Sequence, residues 1–140
     1  MELLELNTDT ITAWLPQCVA LQAHLVSDPS TIDEQKFIAT ANAAETYYLG
    51  LVDEAKLLGM ATLSKMTHPV NVTGYINNVV VSPEARGRGY FGILMDALES
   101  KAREWGCTDL ALTCSRPEVQ GMYEKRGYQQ KETNFYIQKF

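Results

Sequence analysis

Apolar positions at strand or helix spacing divide the first part of the chain into predicted elements. Alternation over residues 3–6 predicts a first strand. Helical spacing predicts a helix through Ile11, Trp14, Leu15, Cys18, Gln22 and Leu25. Thr31 to Glu34 fits a capping box, in which the Thr and the Glu satisfy each other's backbone donors, and this predicts a second short helix.

Beyond the second helix the pattern changes to runs rich in β-forming residues. Tyr47 to Val52 and Leu57 to Lys65 flank the polar turn Asp53 to Lys56, which predicts a hairpin. Gly74 to Val81 ends in β-branched residues, as a buried central strand does. A longer helix that stops at Gly106 follows. Its apolar face consists of Phe91, Leu94, Met95, Leu98, Ala102 and Trp105.

The last third of the chain returns to strand and helix patterns. Asp109 to Cys114 predicts a strand, and Ser115 to Glu118 predicts a second capping box before a helix that ends at Gly127. Tyr128 and then Phe135 to Ile137 predict closing strands. The element order predicts a mixed sheet covered by helices, an α+β fold. Residues 1–140 are expected to form one domain.

Charge and cysteine usage exclude several classes of function. A net charge of −5 gives no global attraction to nucleic acid or to an anionic membrane surface. No signal-like start and no long apolar run is present, so we expect a cytoplasmic protein. Cys18, Cys107 and Cys114 are widely spaced and outside any CxxC pattern, which argues against a disulfide framework and a metal site.

A glycine-rich loop joins the central strand to the long helix. Residues 86–92 read Arg-Gly-Arg-Gly-Tyr-Phe-Gly. Glycine lets the backbone approach a ligand, and the helix start adds unpaired N–H donors and a positive dipole end. Arg86 and Arg88 can add positive charge. The loop is therefore predicted to bind phosphate; the alternative is a tight turn that merely uses glycine.

The same glycines also satisfy the fingerprint of dinucleotide-binding proteins. Gly87, Gly89 and Gly92 have its GxGxxG spacing. That site requires an acidic residue at the carboxyl end of the next strand, whereas Asp109 opens its strand. Only 48 residues follow Gly92, too few for the further βα units. An NAD-dependent enzyme is therefore the weakest alternative.

Two motifs resemble those of the GNAT superfamily of N-acetyltransferases. Arg86-x-x-Gly89-x-Phe91 is similar to the family's [Q/R]-x-x-G-x-[G/A] loop, with Phe91 where the family has Gly or Ala. Met122 to Tyr128 resembles its (L/F)-Y-E-K-x-G-F segment. The resemblance implies a mostly antiparallel mixed sheet flanked by about four helices. It also implies transfer of an acetyl group from acetyl-CoA to a primary amine, without a metal.

Residue by residue, the resemblance implies roles for three segments. The main chain around Val79 and Val81 would pair with the pantetheine arm, and a main-chain N–H near Val79 or Val80 would stabilise the oxyanion. Tyr123 would be the general acid for the CoA thiolate. Arg116 stands where many members have Asn, and either contacts the cofactor or is a solvated residue at a helix start. The pyrophosphate would be held by the amides of Gly87, Arg88, Gly89, Tyr90, Phe91 and Gly92, with Arg86 beside them.

Some features leave the function and assembly open. Asn77 and Asn78 occupy the strand positions where the family often places a glutamate base, so the general base is unassigned. A module of the same fold that senses acyl-CoA without turnover is the main alternative. The terminal β segments could also pair between subunits, which would give a homodimer.

Overall fold

A five-stranded sheet in the order β1-β2-β3-β4-β5 forms the centre of the computed structural model, which describes residues 1–140. The first four strands are antiparallel neighbours, and β5 is parallel to β4. This confirms the predicted mixed, mostly antiparallel sheet. The strands are β1 Glu2–Glu5, β2 Thr46–Asp53, β3 Lys56–Thr67, β4 Val72–Val81 and β5 Asp109–Ala111.

Four helices flank the sheet, as expected. They are α1 Ile11–Gln22, α2 Glu34–Asn42, α3 Tyr90–Glu104 and α4 Pro117–Glu124. The predicted capping box at Thr31 is wrong, because Thr31 ends a short 3₁₀ turn and the Asp33 side chain caps α2 by accepting from Gln35 N. The box at Ser115 is also wrong, because α4 has Arg116 at its N-cap without a side-chain cap bond.

The two faces of the sheet carry separate hydrophobic cores. The core between the sheet and the helices α1 and α2 consists of Leu6, Ile11, Cys18, Leu21, Phe37, Tyr48, Val52, Leu57, Met60 and Val80. The core between the sheet and the helices α3 and α4 consists of Leu49, Leu51, Ala61, Leu63, Ile76, Leu94, Met95, Leu98, Ala102 and Tyr123. Neighbouring residues of β2 alternate between the two cores because successive side chains of a strand point to opposite faces.

The three cysteines behave as small hydrophobic residues. Cys18 is fully buried, Cys107 and Cys114 are partly buried, and none is in a disulfide. Burial raises the pKa of the Cys18 thiol to about 11, since the thiolate would lose its hydration. All three cysteines are therefore free thiols at buried or partly buried positions.

The C-terminal segment, residues 128–140, differs from the prediction. The closing strands at Tyr128 and at Phe135 to Ile137 are wrong, because these residues form no helix or strand. β-forming residues need a partner edge, and the segment pairs with no strand of this chain. Phe135, Tyr136 and Ile137 are instead 74%, 85% and 70% exposed.

The structure contains no helix with the length and apolar character that a membrane span requires.

Candidate active site

The loop between β4 and α3 has an open surface formed by two glycines. Gly87 has φ +79° and Gly89 has φ +81°, a left-handed conformation that strains any residue with a side chain. A Cβ atom built on either residue would meet nothing within 4 Å. Glycine is therefore needed at both positions for the backbone path, and the space over the loop is free for a ligand.

The backbone amide groups of residues 87–92 lie next to this space. The Ile93 amide donates to the Gly89 carbonyl, which is the first backbone hydrogen bond of α3. The preceding amides, from residue 87 to residue 92, donate to no other group of the protein. Unpaired amides at a helix start attract anions, because they combine hydrogen-bond donors with the positive end of the helix dipole.

The edge of β4 that faces β5 is free over much of its length. β5 pairs only with Thr73, Gly74 and Tyr75, whereas β4 continues to Val81. Beyond this pairing the Tyr75 hydroxyl lies 3.3 Å from the Thr113 hydroxyl. On the side that faces β5, the main chain of residues 76–81 therefore pairs with no strand, although β3 pairs with its other side.

A β-bulge lies in the middle of this free edge. Met60 of β3 faces Val80, and Thr62 faces Asn77, so Ala61 alone lies opposite the two residues between them. Asn78, the first of the two, has φ +52°, which Asn tolerates better than most residues. The bulge was not predicted from the sequence. Its signal is the pair Asn77-Asn78 interrupting a run of β-forming residues.

Tyr123 of α4 packs into the core beside the glycine loop. Its ring meets the Phe91 ring edge to face at 5.3 Å between centroids. Burial, with a smaller effect of the Cys114 charge, raises the pKa of Tyr123 to about 12. Every fully buried side-chain oxygen or nitrogen has a hydrogen-bond partner, so the unpartnered Tyr123 hydroxyl is accessible from the surface.

An ionic network holds the end of α4 against α3. The Arg126 guanidinium donates to both oxygens of Glu99, at 2.7 and 3.3 Å, and also to Asp96. The Tyr128 hydroxyl donates to the same Glu99 carboxylate at 2.8 Å. Sequence reasoning missed this network. The feature of the sequence that indicates it is the pair of acidic residues Asp96 and Glu99, three residues apart on one face of α3. Arg126 lies in the turn after α4, and its amide donates to the Tyr123 carbonyl at 2.9 Å, so the network anchors the chain next to Tyr123.

The three arginines of the predicted site are placed differently from one another. Arg86 is tied to the end of β4 through its Nε, which donates to the Val81 carbonyl at 3.1 Å. Arg88 is exposed and lines a shallow cavity with several acidic side chains. Arg116 donates through Nη2 to the His24 carbonyl at 3.1 Å, and so links the start of α4 to the end of α1. Arg86 is thus the arginine joined directly to the free strand.

The fold brings most of the predicted site residues into one place. Val79, Val81, Tyr90 and Phe91 are partly buried against the core that contains Tyr123. Val80 points the other way, into the core under α1 and α2. The side chain of Arg116 lies outside both cores.

A cavity of about 220 Å³ lies on the opposite face of the sheet, between α1, α2 and the β4 bulge. Its walls include Asn78 of the bulge, whose side-chain oxygen is 3.4 Å from Gln22 Nε2. The complete lining is Gln22, Val26, Thr31, Ile32, Asp33, Lys36, Phe37, Thr40, Tyr48, Thr62 and Asn78. Sequence reasoning missed the cavity, because residues distant in the chain meet there.

The family model described as the acetyltransferase (GNAT) family matches residues 8–128. The chain belongs to this family. The GNAT assignment confirms the resemblance seen in the two sequence motifs, and the NAD-dependent alternative is set aside. The chain is accordingly an acyltransferase of the GNAT type.

Solved structures of acetyltransferases share the fold over the whole chain. A proposed acetyltransferase of Agrobacterium tumefaciens str. C58 is 24% identical, covers 99% of this chain and 100% of its own, and has a TM-score of 0.85. The aminoglycoside 6'-N-acetyltransferase AAC(6')-IG of Acinetobacter haemolyticus is 21% identical, with coverages of 100% and 99% and a TM-score of 0.80. The glucosamine-6-phosphate N-acetyltransferase of Arabidopsis thaliana is 18% identical, with coverages of 98% and 97% and a TM-score of 0.79.

Proposed function

We propose that this GNAT protein transfers an acetyl group from acetyl-CoA to a primary amine. The observation that carries the proposal is the free edge of β4, which leads directly to the unpaired amides of residues 87–92. An extended amide-containing arm can pair with a free strand edge as an added strand does. The pyrophosphate would then lie over Gly87 and Gly89, where no side chain stands in its way.

Tyr123 is proposed as the general acid. The amine nitrogen forms a bond to the acetyl carbon, the carbon–sulfur bond breaks, and the departing sulfur takes the hydroxyl proton of Tyr123. The nitrogen loses its extra proton to water, and Tyr123 regains a proton from water. The raised pKa, about 12, keeps this hydroxyl protonated at neutral pH. The same burial disfavours a CoA thiolate beside Tyr123 and so raises the pKa of the thiol as well. The difference between the pKa values of the tyrosine, which donates the proton, and the thiol, which accepts it, is therefore smaller.

The main chain at the bulge is the proposed site for the developing oxyanion. A bulge turns backbone groups out of the regular ladder, and Val79 follows the left-handed Asn78. A backbone N–H directed at the thioester oxygen stabilises the charge that appears as the amine attacks. In this proposal the amine attacks directly and no covalent enzyme intermediate forms. The expectation that no metal takes part stays a prediction.

The acceptor is proposed to bind in the cavity beside Asn78. Asn78 of the bulge lines this cavity and belongs to β4, so we place an amine in the cavity near a thioester that lies along the free edge of that strand. The names of the fold relatives, an aminoglycoside enzyme and a glucosamine-6-phosphate enzyme, indicate different acceptors on one fold. Acceptor choice must therefore come from the cavity itself.

Calorimetric titration of the purified protein with acetyl-CoA, with NADH as the control ligand, tests the donor half of the proposal. We expect saturable binding of acetyl-CoA and none of NADH. An amine screen by CoA release then separates transfer from acyl-CoA sensing, because a sensor would bind acetyl-CoA without turnover. Absence of acetyl-CoA binding would mean that the glycine loop is only a turn or binds another anion, and would refute the proposed function.

A homodimer formed through the C-terminal segment is also proposed. β5 is an edge strand of three residues, and residues 135–137 are exposed and β-forming. Pairing of this segment with β5 of a second copy would cover both. We expect sedimentation to give twice the 15.7 kDa mass of the chain, and removal of residues 134–140 to give a monomer.

The matched control for this truncation is Val70→Asp. Val70 is 93% exposed in the turn between β3 and β4, away from the C-terminal segment. The control should remain a dimer, because it removes an exposed apolar side chain that lies away from the proposed contact. A full-length monomer, or a dimer that survives the truncation, would refute the proposed pairing.

A further inference from the structure

The walls of the cavity beside Asn78 carry one positive and one negative side chain. Lys36 and Asp33 lie three residues apart at the start of α2, and both line the cavity. No salt bridge forms between them, and neither has an ion-pair partner elsewhere in the chain. Because neither side chain is paired with another charge, both can interact with a ligand in the cavity.

The hydroxyl groups of the cavity are mostly set to accept hydrogen bonds. Thr31, Thr40 and Thr62 each donate their hydroxyl hydrogen to a backbone carbonyl, at 2.7 to 2.9 Å. Tyr48 donates to the sulfur of Met60. A hydroxyl whose hydrogen is engaged keeps its lone pairs for a donor, so this lining suits the N–H groups of an amine.

Lys36 is the positively charged side chain of this cavity, and it can pair with an anionic group of the ligand. Asp33 already accepts the Gln35 amide with one oxygen, which leaves the other for an ammonium group. We propose that the acceptor is a free amino acid, whose carboxylate pairs with Lys36. This inference rests on the proposed acetyl-CoA-dependent transfer.

Cavity size and charge balance argue against the other acceptor classes. The volume of about 220 Å³ is below the ~300–1,000 Å³ of pockets for drug-sized ligands, so a multi-ring aminoglycoside would leave most of its rings outside the cavity. A polyamine would need several carboxylates, whereas Asp33 is balanced by Lys36. A lysine within a protein presents no free carboxylate to Lys36.

The group transfer balances without another reactant. The ammonium form of the amino acid first loses a proton to solvent, and the neutral amine then attacks the acetyl carbon. The new carbon–nitrogen bond replaces the carbon–sulfur bond, the nitrogen loses a second proton to water, and the sulfur is protonated from Tyr123, which then regains a proton from water. The products are an N-acetylamino acid and CoA.

The test compares free amino acids with their carboxamides, which keep the amine and lack the carboxylate. CoA release is followed at saturating acetyl-CoA with the common L-amino acids, the carboxamide of the best of them, and spermidine. We expect kcat/KM for the free acid to exceed that for its carboxamide by about tenfold, the effect of one charge-assisted pair. Lys36→Gln should abolish this preference through KM, with kcat within about twofold.

Lys131→Gln is the control, because Lys131 is an exposed lysine outside the cavity and should keep the preference. Equal use of acid and carboxamide by the wild type, a preference that survives Lys36→Gln, or acetylation of spermidine alone would overturn the inference while leaving acetyl transfer intact. Failure to bind acetyl-CoA in the calorimetric titration, or binding without any transfer, would overturn the proposed function and this inference together.

Discussion

Replacing Gly89 with Glu is expected to weaken acetyl-CoA binding by about 100-fold or more, because like charges brought together cost several kcal/mol. The new carboxylate would stand in the open space over the unpaired amides, where the pyrophosphate is proposed to bind. Its bulk would also keep the phosphate away from the backbone. Calorimetric titration of the variant with acetyl-CoA measures the loss.

The matched control for this change is Gly106→Glu at the other end of α3. Gly106 has φ +77°, close to the +81° of Gly89, and a Cβ atom there also meets nothing within 4 Å. The two variants therefore carry the same backbone strain and the same added charge. Affinity should be unchanged in Gly106→Glu. Equal losses in both variants would show that strain, rather than the phosphate site, determines binding.

Tyr123→Phe is expected to lower kcat by about 100-fold, the smaller end of the range for a general acid, with acetyl-CoA affinity within about twofold. The phenylalanine keeps the ring that packs against Phe91 and removes only the hydroxyl. Steady-state kinetics with a saturating amine and a separate binding titration distinguish the two effects. An unchanged kcat would remove Tyr123 as the acid.

Tyr128→Phe is the companion control. Its ring belongs to the same aromatic cluster, 5.8 Å from the ring of Tyr123, but its hydroxyl donates to Glu99 rather than toward the loop. We expect its kcat to stay within about threefold of the wild type.

Because burial raises the pKa of Tyr123 to about 12, this tyrosine keeps its proton from about pH 7 to about pH 10. A pH profile of kcat should therefore show no fall over that range that is caused by ionisation of Tyr123.

Sequence patterns predicted the elements that hydrophobic periodicity controls. The β2–β3 hairpin, the central strand β4 and the amphipathic helix α3 all formed as expected, because each buries an apolar face against the sheet. Patterns that depend on a partner were less informative. Phe135 to Ile137 has strong β propensity and forms no strand, and β5 ends at Ala111 instead of Cys114.

The candidate site divides in the same way. The glycine loop could be predicted because left-handed backbone and unpaired helix amides follow from local sequence. The bulge at Asn78 depends on the register between β3 and β4, and the cavity depends on how α2 packs against the sheet. Neither property is written in any short segment, so Lys36 and Asp33 were not recognised as candidate site residues.

The separation of the two cores has a consequence for how such a protein can diversify. The proposed donor site lies with α3 and α4, whereas the proposed acceptor cavity lies with α1 and α2 on the other face of the sheet. Substitutions far apart and without shared partners act almost independently on stability. Changes in the acceptor cavity away from Asn78, which both sites share, can therefore accumulate without disturbing the acetyl-CoA site, so one scaffold can acquire new acceptors while its donor chemistry stays constant.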